Sequence, residues 1–237
     1  PLSDIDLLVL TAGERDSQAD VIVEQLLYLL WDLGLKVGHA KRTVTDTIRA
    51  SREDHTILTG LLEMRFISGD VALYRKLETA FRREVARLKP ADFVEAKLAE
   101  RDARHQKHGA TRYVVEPNIK EGKGGLRDLH TLFWIAKFAY RADSIVDIVE
   151  KGILRETEAR RFAAAQRFLW TVRCHLHLLA GRPEERLDFD AQMAIAPRMG
   201  RRSLLLIVRI RCRAGSCNSH SAAPHSAAPL LPNSEGS

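Results

Sequence analysis

The first 70 positions contain short apolar runs of strand length, such as 7–10, and segments in which apolar residues recur at helical spacing. The predicted elements are strands over 4–10 and 35–40, helices over 21–33 and 45–52, and over 56–66 a strand or a strand entered from a helix. Strands and helices that alternate in this way are typical of a small α/β domain.

Past Gly69 and Asp70 the pattern is helical for most of the chain up to about residue 200. Asp92, with Glu95 three residues on, predicts a capping box that opens a helix reaching about Lys107. Two later segments carry apolar stripes at helical spacing, namely Leu126, Leu129, Phe133, Ala136 and Tyr140, and Phe162, Ala165, Leu169, Val172, Leu176 and Leu179. Helices with such stripes pack against each other in bundles.

These patterns predict an α+β protein in three parts: an α/β domain over 1–90, a helical bundle domain over 91–200, and a tail over 201–237. The tail is rich in Ser, Ala and Pro and has too little apolar content to fold alone, so we expect it to be disordered. The chain starts at Pro1 with neither an initiator Met nor a signal peptide, and we interpret it as a fragment.

The net charge of +6 is concentrated at the carboxyl-terminal end of the chain. Residues 198–237 contain six arginines and one acid, which leaves the remainder nearly neutral, and we therefore expect no nucleic-acid partner. The three cysteines form no CxxC pair, which favours a reduced, cytoplasmic setting. No apolar run approaches the ~20 residues needed to cross a bilayer, so we expect no membrane association.

Asp4 and Asp6 flank Ile5 at the entrance of the first predicted strand. Side chains two positions apart on a strand project from the same face, so the two carboxylates can converge on one metal ion. Carboxylate oxygens suit Mg²⁺, which commonly binds a few carboxylates together with substrate phosphates. The alternative is a pair of solvated acids at a strand end.

A segment rich in glycine and cations, residues 116–128, leads directly into the helix predicted from Leu126. Its cations are Lys120, Lys123 and Arg127, and glycines such as Gly124 and Gly125 allow close approach of the backbone. Because a helix N-terminus presents free N–H groups and a positive dipole end, the segment predicts a phosphate site. It lacks the spacing of a Walker A loop, and the alternative is a solvated glycine turn.

The segment Ser3-Asp4-Ile5-Asp6-Leu7-Leu8 resembles the carboxylate strand of polymerase-β-like nucleotidyltransferases. In that superfamily a third acid follows on a later strand, and Glu63 stands where it would be. The neighbours of Glu63 are apolar, so leaving it unpaired would be costly if it were buried, and a metal would remove that cost. Glu63 could instead pair with Arg65 or be exposed.

Residues 115–129 resemble a signature of the bacterial PII uridylyltransferase/uridylyl-removing enzymes. Further segments that resemble this family are 29–39, 93–98, 129–137, 170–177 and 184–190, so that the resemblance covers roughly residues 1–200. A looser form of the glycine element also occurs in glutamine synthetase adenylyltransferase, a related enzyme.

The resemblance implies transfer of UMP from UTP to a tyrosine of the nitrogen regulatory protein PII, with release of pyrophosphate. It implies that Asp4, Asp6 and Glu63 hold Mg²⁺ and take part in catalysis. Lys120, Lys123, Gly124, Gly125 and Arg127 are the candidates for nucleotide binding. A glycine element expected upstream of Asp4 is missing, so the chain could also be a non-catalytic remnant.

Two further features have a structural interpretation. Cys174 and His177 lie three residues apart on a predicted helix, but two ligands do not make a zinc site, and we expect them to pack. Trp31, Trp134 and Trp170 lie in amphipathic stretches and are expected to pack in a core or between domains.

Overall fold

A computed structural model of the chain describes residues 4–13, 17–108 and 115–200. Over these ranges it forms the strands β1 (Ile5–Thr11) and β2 (Val37–Thr43) and the helices α1 (Ser17–Asp32), α2 (Val44–Glu53), α3 (His55–Leu62), α4 (Val71–Arg87), α5 (Pro90–Lys107), α6 (Leu126–Tyr140), α7 (Ile145–Glu150), α8 (Glu156–Ala180) and α9 (Phe189–Arg198). The chain is thus mostly helical with a small sheet, in agreement with the predicted α+β class.

The sheet consists of β1 and β2 paired in parallel, with α1 as the connection between them. The register runs from Ile5 opposite Val37 to Thr11 opposite Thr43. Parallel neighbours need such a crossover, which explains why a helix separates the two strands in sequence. Both predicted strands are confirmed, although β2 begins and ends later than the pattern indicated.

The segment 56–66 begins as the helix α3, as the alternative of a strand entered from a helix allowed, but the predicted strand is wrong because residues 63–66 after the helix form none. Asp54 caps that helix, since its side chain accepts a hydrogen bond from the Thr56 N–H at 2.6 Å. Leu58 and Leu61, three residues apart, are both buried on one face of the helix. The N-cap and the buried face stabilise a helix of eight residues here, although the short apolar run by itself had suggested a strand.

The capping box predicted at Asp92 is also wrong, since α5 begins two residues earlier at Pro90. Its N-cap, Lys89, forms no side-chain capping bond. Proline has no N–H to leave unsatisfied and its fixed φ suits the first helical position, so Pro90 starts the helix. Asp92 therefore lies inside the first turn.

Two main apolar clusters hold the helices together. The first combines β1, α2, α3 and α4 with α5 and α6; its buried members are Val44, Leu58, Leu61, Leu77, Phe81, Phe93 and Phe138. Phe93 and Phe138 stack in it with ring centroids 4.1 Å apart. The second joins α6, α8 and α9 to two connecting segments; its buried members are Ile119, Leu126, Leu169, Val172, Leu176, Leu187, Ala191, Ile195 and Ala196. The first cluster therefore draws on both sides of residue 90, where the sequence suggested a domain boundary.

The tryptophans differ in environment. Trp134 and Trp170 are partly buried against the first and second clusters, as expected, whereas Trp31 is exposed on α1. The predicted stripes of α6 and α8 are buried through Leu126, Leu169 and other members, but Tyr140 and Leu179 at their ends are exposed.

The tail over 201–237, predicted to be disordered, lies outside the described residues. Among the helices that the structure describes, none combines the length and the apolar character that crossing a membrane requires.

Candidate functional site

The Asp4 and Asp6 side chains lie at the start of β1. Asp4 directly precedes the strand, Asp6 is its second residue, and both are exposed. This strand end is held by the backbone, because the Ile5 N–H donates to the Lys36 carbonyl over 2.8 Å. Two exposed carboxylates separated by one residue of extended chain can face the same way, which is an arrangement that Mg²⁺ accepts.

Gly38 of β2 lies opposite Asp6 in the sheet. A β-carbon built on Gly38 would lie only 3.0 Å from Oδ1 of Asp6, closer than an ordinary van der Waals contact. The absence of a side chain at Gly38 therefore leaves room for the Asp6 carboxylate. We did not single out Gly38 from the sequence, although a glycine inside a predicted strand is a signal for close approach of a neighbouring group.

Glu63 is the residue at the C-terminal end of α3. Its carboxylate lies 3.4 Å from Nζ of Lys137 on α6, and its side chain is 48% exposed. The same Lys137 Nζ donates a hydrogen bond to the Leu62 carbonyl at 2.9 Å. Glu63 is therefore paired with a lysine 74 positions away in sequence, and Lys137 joins the end of α3 to α6.

Within the described ranges, no three His, Cys, Asp or Glu side chains form a group that could hold a metal ion. The Asp4 and Asp6 pair nevertheless fits Mg²⁺, because this ion keeps several waters and commonly takes only one or two protein carboxylates. The space beside Asp6 at Gly38 is compatible with that use. Glu63 as a third ligand stays a prediction, since its carboxylate has Lys137 as its counterion here.

Much of the backbone of the glycine segment is engaged in hydrogen bonds within the segment. Four successive N–H groups donate within it: Gly124 to Oδ2 of Asp128, Gly125 to the Gly122 carbonyl, Leu126 to Ile119 and Arg127 to Lys120, at 2.6–2.9 Å. Asn118 adds an Asx turn, because its side-chain oxygen accepts from the N–H groups of Lys120 and Glu121. The N–H groups that the sequence suggested for a phosphate are thus already engaged.

Gly125 is the residue on which this turn depends. A β-carbon at Gly125 would lie 2.6 Å from the Ile119 carbonyl oxygen and 2.8 Å from those of Lys120 and Gly122. Backbone oxygens cannot move away as a flexible side chain could, so only glycine fits. The glycine-rich composition noted from the sequence therefore serves close backbone packing at this position.

The cations of the segment surround a carboxylate of the same segment. Glu121 lies 3.7 Å from Nζ of Lys120 and 3.6 Å from Nη2 of Arg127. Arg127 also lies over the Trp134 ring, 5.7 Å from its centroid. Lys123 is exposed. Side chains, rather than the backbone, are left to contact a nucleotide or phosphate here.

The end of α5 holds the glycine segment through Asp128. Its carboxylate accepts a hydrogen bond from Nη2 of Arg104 at 2.6 Å and lies 2.9 Å from Nε2 of His105. The Arg104 side chain is 9% exposed, and its Nε lies 3.7 Å from Oε2 of Glu121. The sequence does not single out Arg104 and His105, because nothing in the local pattern links the end of one helix to the start of the next.

His130 lies on α6, three residues after Arg127. Its ring packs 5.7 Å from Trp134 and 6.4 Å from Trp170, measured between centroids. Burial, followed by the positive charge of Arg127, lowers the pKa of His130, and Glu63 opposes this shift. One face of α6 carries residues at steps of three and four, namely Arg127, His130, Trp134 and Lys137. This spacing is a signal that could have identified His130 from the sequence.

His177 on α8 is fully buried and packs in the protein interior, as expected. Its side chain is 0% exposed, neither ring nitrogen has a hydrogen-bond partner, and Nε2 lies 3.6 Å from Glu185. Glu185 is bound instead by the buried Arg173, whose Nη2 lies 2.6 Å away. Burial, followed by the charge of Arg173, lowers the pKa of His177, with Glu185 opposing. Cys174 is a free thiol.

Comparison with curated proteins finds close relatives over most of the chain. A bifunctional uridylyltransferase/uridylyl-removing enzyme of Azospirillum brasilense is 56% identical over 200 residues, which are 84% of this chain and 21% of the relative. The enzyme of the same name from Rhodospirillum rubrum is also 56% identical over 200 residues, with the same coverage. That of Bradyrhizobium sp. strain ORS 278 is 52% identical, over 84% of this chain and 22% of the relative.

The chain thus spans about a fifth of the length of these relatives. No solved structure matches the chain significantly. The family model described as GlnD PII-uridylyltransferase matches residues 92–206, a region that includes the glycine segment, His130 and the Arg173–Glu185 pair. This match, together with relatives that extend it over 200 residues, confirms the resemblance inferred from the sequence: the chain is similar to the GlnD PII-uridylyltransferases.

Proposed function

We propose that this chain carries the nucleotidyl-transfer region of a PII uridylyltransferase, with a polymerase-β-like α/β domain and a helical domain. The reaction is the transfer of UMP from UTP to a tyrosine hydroxyl of PII, with release of pyrophosphate, in the cytoplasm. The observation that carries the proposal is the pair Asp4 and Asp6 at the start of β1, with Asp6 opposite Gly38, in a chain 56% identical over 200 residues to relatives named uridylyltransferase.

Asp4 and Asp6 would hold Mg²⁺ through their exposed carboxylates. When bound, Mg²⁺ neutralises phosphate charge and lowers the pKa of a hydroxyl that it contacts. The two aspartates orient the triphosphate against the attacking phenol, and the strand backbone keeps their spacing constant. Glu63 is the proposed third acid. To serve as a ligand, its carboxylate would have to turn away from Lys137 or contact Lys137 and the metal ion at the same time.

The cations Lys120, Lys123 and Arg127 would neutralise the triphosphate and the leaving pyrophosphate. Phosphoryl transfer asks mainly for positioning and for compensation of negative charge, both of which fixed cations supply. In this proposal Gly124 and Gly125 shape the turn that presents the cations, since their N–H groups donate within the segment. Burial lowers the pKa of His130, so at neutral pH this residue adds no further positive charge beside Arg127.

The proposal is tested by titrating the 237-residue chain with UTP in the presence of Mg²⁺ and measuring the heat. We expect binding that requires Mg²⁺ and that is lost in the Asp4→Ala/Asp6→Ala variant. Asp102→Ala, which removes an exposed carboxylate on α5, is the matched control and should bind like the parent chain.

A parent chain and an Asp4→Ala/Asp6→Ala variant that cannot be distinguished would refute the assignment and favour the non-catalytic alternative. Competition between UTP and ATP separates the two enzyme interpretations. Preference for UTP supports a uridylyltransferase, and preference for ATP supports the adenylyltransferase alternative. Transfer of radiolabelled UMP to PII, with the acceptor tyrosine replaced by Phe as control, tests the acceptor.

A further inference from the structure

Glu121 occupies the centre of a cluster of three cations without forming a hydrogen bond to any of them. Its carboxylate oxygens lie 3.7 Å from Nε of Arg104, 3.7 Å from Nζ of Lys120 and 3.6 Å from Nη2 of Arg127. These distances exceed the 2.7–3.2 Å typical of N–H···O bonds. The cations are therefore gathered around an anion that only partly satisfies them.

Arg104 adds an independent sign that an acceptor is missing from this cluster. Its side chain is 9% exposed, and its Nε atom is buried with no hydrogen-bond partner. The other end of the guanidinium is anchored, since Nη2 donates to Asp128 at 2.6 Å. A buried donor without an acceptor is unfavourable, so the structure retains at Nε a donor that a suitable oxygen could engage.

The backbone around Glu121 is fixed, while among residues 4–13, 17–108 and 115–200 the contacts of its side chain are the three long ones given above. Asn118 accepts from the Glu121 N–H at 2.6 Å, and Gly122 donates to the Asn118 carbonyl at 3.0 Å. Rotation of the Glu121 side chain therefore needs no rearrangement of the turn. The carboxylate, 22% exposed, can leave the cluster towards solvent.

We propose that Arg104, Lys120 and Arg127 form an oxyanion site for a phosphate or pyrophosphate group, with the Glu121 carboxylate as an internal occupant that the ligand displaces. The inference rests on the proposed function and deepens it by adding Arg104 and Glu121 to the residues that act on the nucleotide. A pyrophosphate carries more charge and more oxygens than a carboxylate, and an arginine fork binds such groups through two N–H donors. Because the phosphate or pyrophosphate group has to displace the Glu121 carboxylate, it binds more weakly than it would to the cations alone, and its release after the reaction is easier.

The test measures binding of inorganic pyrophosphate to the 237-residue chain by calorimetry in a buffer without divalent cations. Glu121→Gln removes the competing charge and keeps the shape, so we expect pyrophosphate to bind about tenfold more tightly, as a like charge at close range disfavours an anion. Lys120→Gln should bind about tenfold more weakly. Arg101→Gln, on the same helix as Arg104 but paired with Asp102, is the matched control and should be unchanged.

Unchanged or weaker pyrophosphate binding by Glu121→Gln would overturn the inference. So would loss of the folded state in that variant, measured by circular dichroism, because a displaceable carboxylate cannot be essential to the fold. Since no divalent cation is present, the result does not depend on Asp4 and Asp6. If Asp4→Ala/Asp6→Ala abolishes Mg²⁺-dependent UTP binding but Glu121→Gln leaves pyrophosphate binding unchanged, this inference is rejected and the proposed function stands. If Glu121→Gln tightens pyrophosphate binding but Asp4→Ala/Asp6→Ala leaves UTP binding unchanged, the proposed function alone is rejected.

Discussion

Gly38 lies directly opposite Asp6 in the parallel sheet, and a β-carbon on Gly38 would come within 3.0 Å of Oδ1 of Asp6. The conformation of the candidate metal ligand thus depends on the absence of a side chain on the neighbouring strand. The two residues are 32 positions apart in sequence and meet only because α1 returns the chain to pair β2 with β1.

Gly38→Ala should weaken Mg²⁺-dependent UTP binding by about three- to tenfold, because the added methyl group displaces the Asp6 carboxylate by a few tenths of an ångström. Calorimetric titration measures the change. Gly60→Ala, in α3 with open space around its Cβ position, is the control and should bind like the parent chain. Equal affinities for Gly38→Ala and the parent chain would show that the position of Asp6 does not matter for binding.

Gly125→Ala should destabilise the folded state by at least ~1–3 kcal/mol, the usual cost of forcing extra atoms into a packed site. Three backbone oxygens lie within 2.8 Å of the added carbon, so the turn before α6 has to open. Urea unfolding followed by circular dichroism measures the free energy. Gly60→Ala, an exposed helical position with open space, is the control and should stabilise the chain by about 0.5–1 kcal/mol rather than destabilise it. A Gly125→Ala chain as stable as the parent would contradict the described geometry of the turn.

Lys137→Met should lower the free energy of unfolding by about 1 kcal/mol, mainly through loss of the hydrogen bond to the Leu62 carbonyl. The ion pair with the half-exposed Glu63 adds little, because solvent screens it. Glu63→Gln should accordingly cost less than about 0.5 kcal/mol. If urea unfolding shows that the two substitutions lower the free energy of unfolding equally, the ion pair rather than the hydrogen bond to the Leu62 carbonyl is the main polar contact between α3 and α6.

Stability should fall as the pH is lowered through the region below about 6.5, the ordinary pKa of histidine. Burial and Arg173 lower the pKa of His177 in the folded state, so between the folded and unfolded pKa values the unfolded chain binds more protons. The stabilisation is therefore complete above the unfolded value and is lost progressively as the pH falls towards the folded one. His130, whose pKa is lowered as well, contributes in the same direction.

Urea midpoints measured from pH 7.5 to pH 5 test this dependence. The decline should be shallower in His177→Gln than in the parent chain, and His39→Gln, which changes an exposed residue of β2, should leave the slope unchanged. An identical slope in His177→Gln and the parent chain would mean that His177 does not contribute to the acid sensitivity.

Local pattern was sufficient for most of the fold. A short apolar run predicted β1, and helical patterns predicted α1, α2 and the central helices α6 and α8, whose apolar residues recur along one face. The pattern failed at α3, where a short apolar run carries no information on its period and the Asp54 cap was overlooked. It also misplaced the start of α5, where Pro90 rather than Asp92 begins the helix.

For the candidate site, too, some features were determined by the sequence and others only by the tertiary structure. Residue types and spacing alone determined the candidates, namely the Asp4 and Asp6 pair and the glycine turn with its cations. The resemblance of whole segments pointed to the uridylyltransferases, and the comparisons confirm that resemblance. Only the tertiary structure decided that Glu63 faces Lys137, that the N–H groups of the glycine turn are engaged within it, and that Arg104 meets Glu121. The physical reason is that side-chain partners far apart in sequence are chosen by how helices pack, and no periodicity within one element records which residue of another element comes to face it.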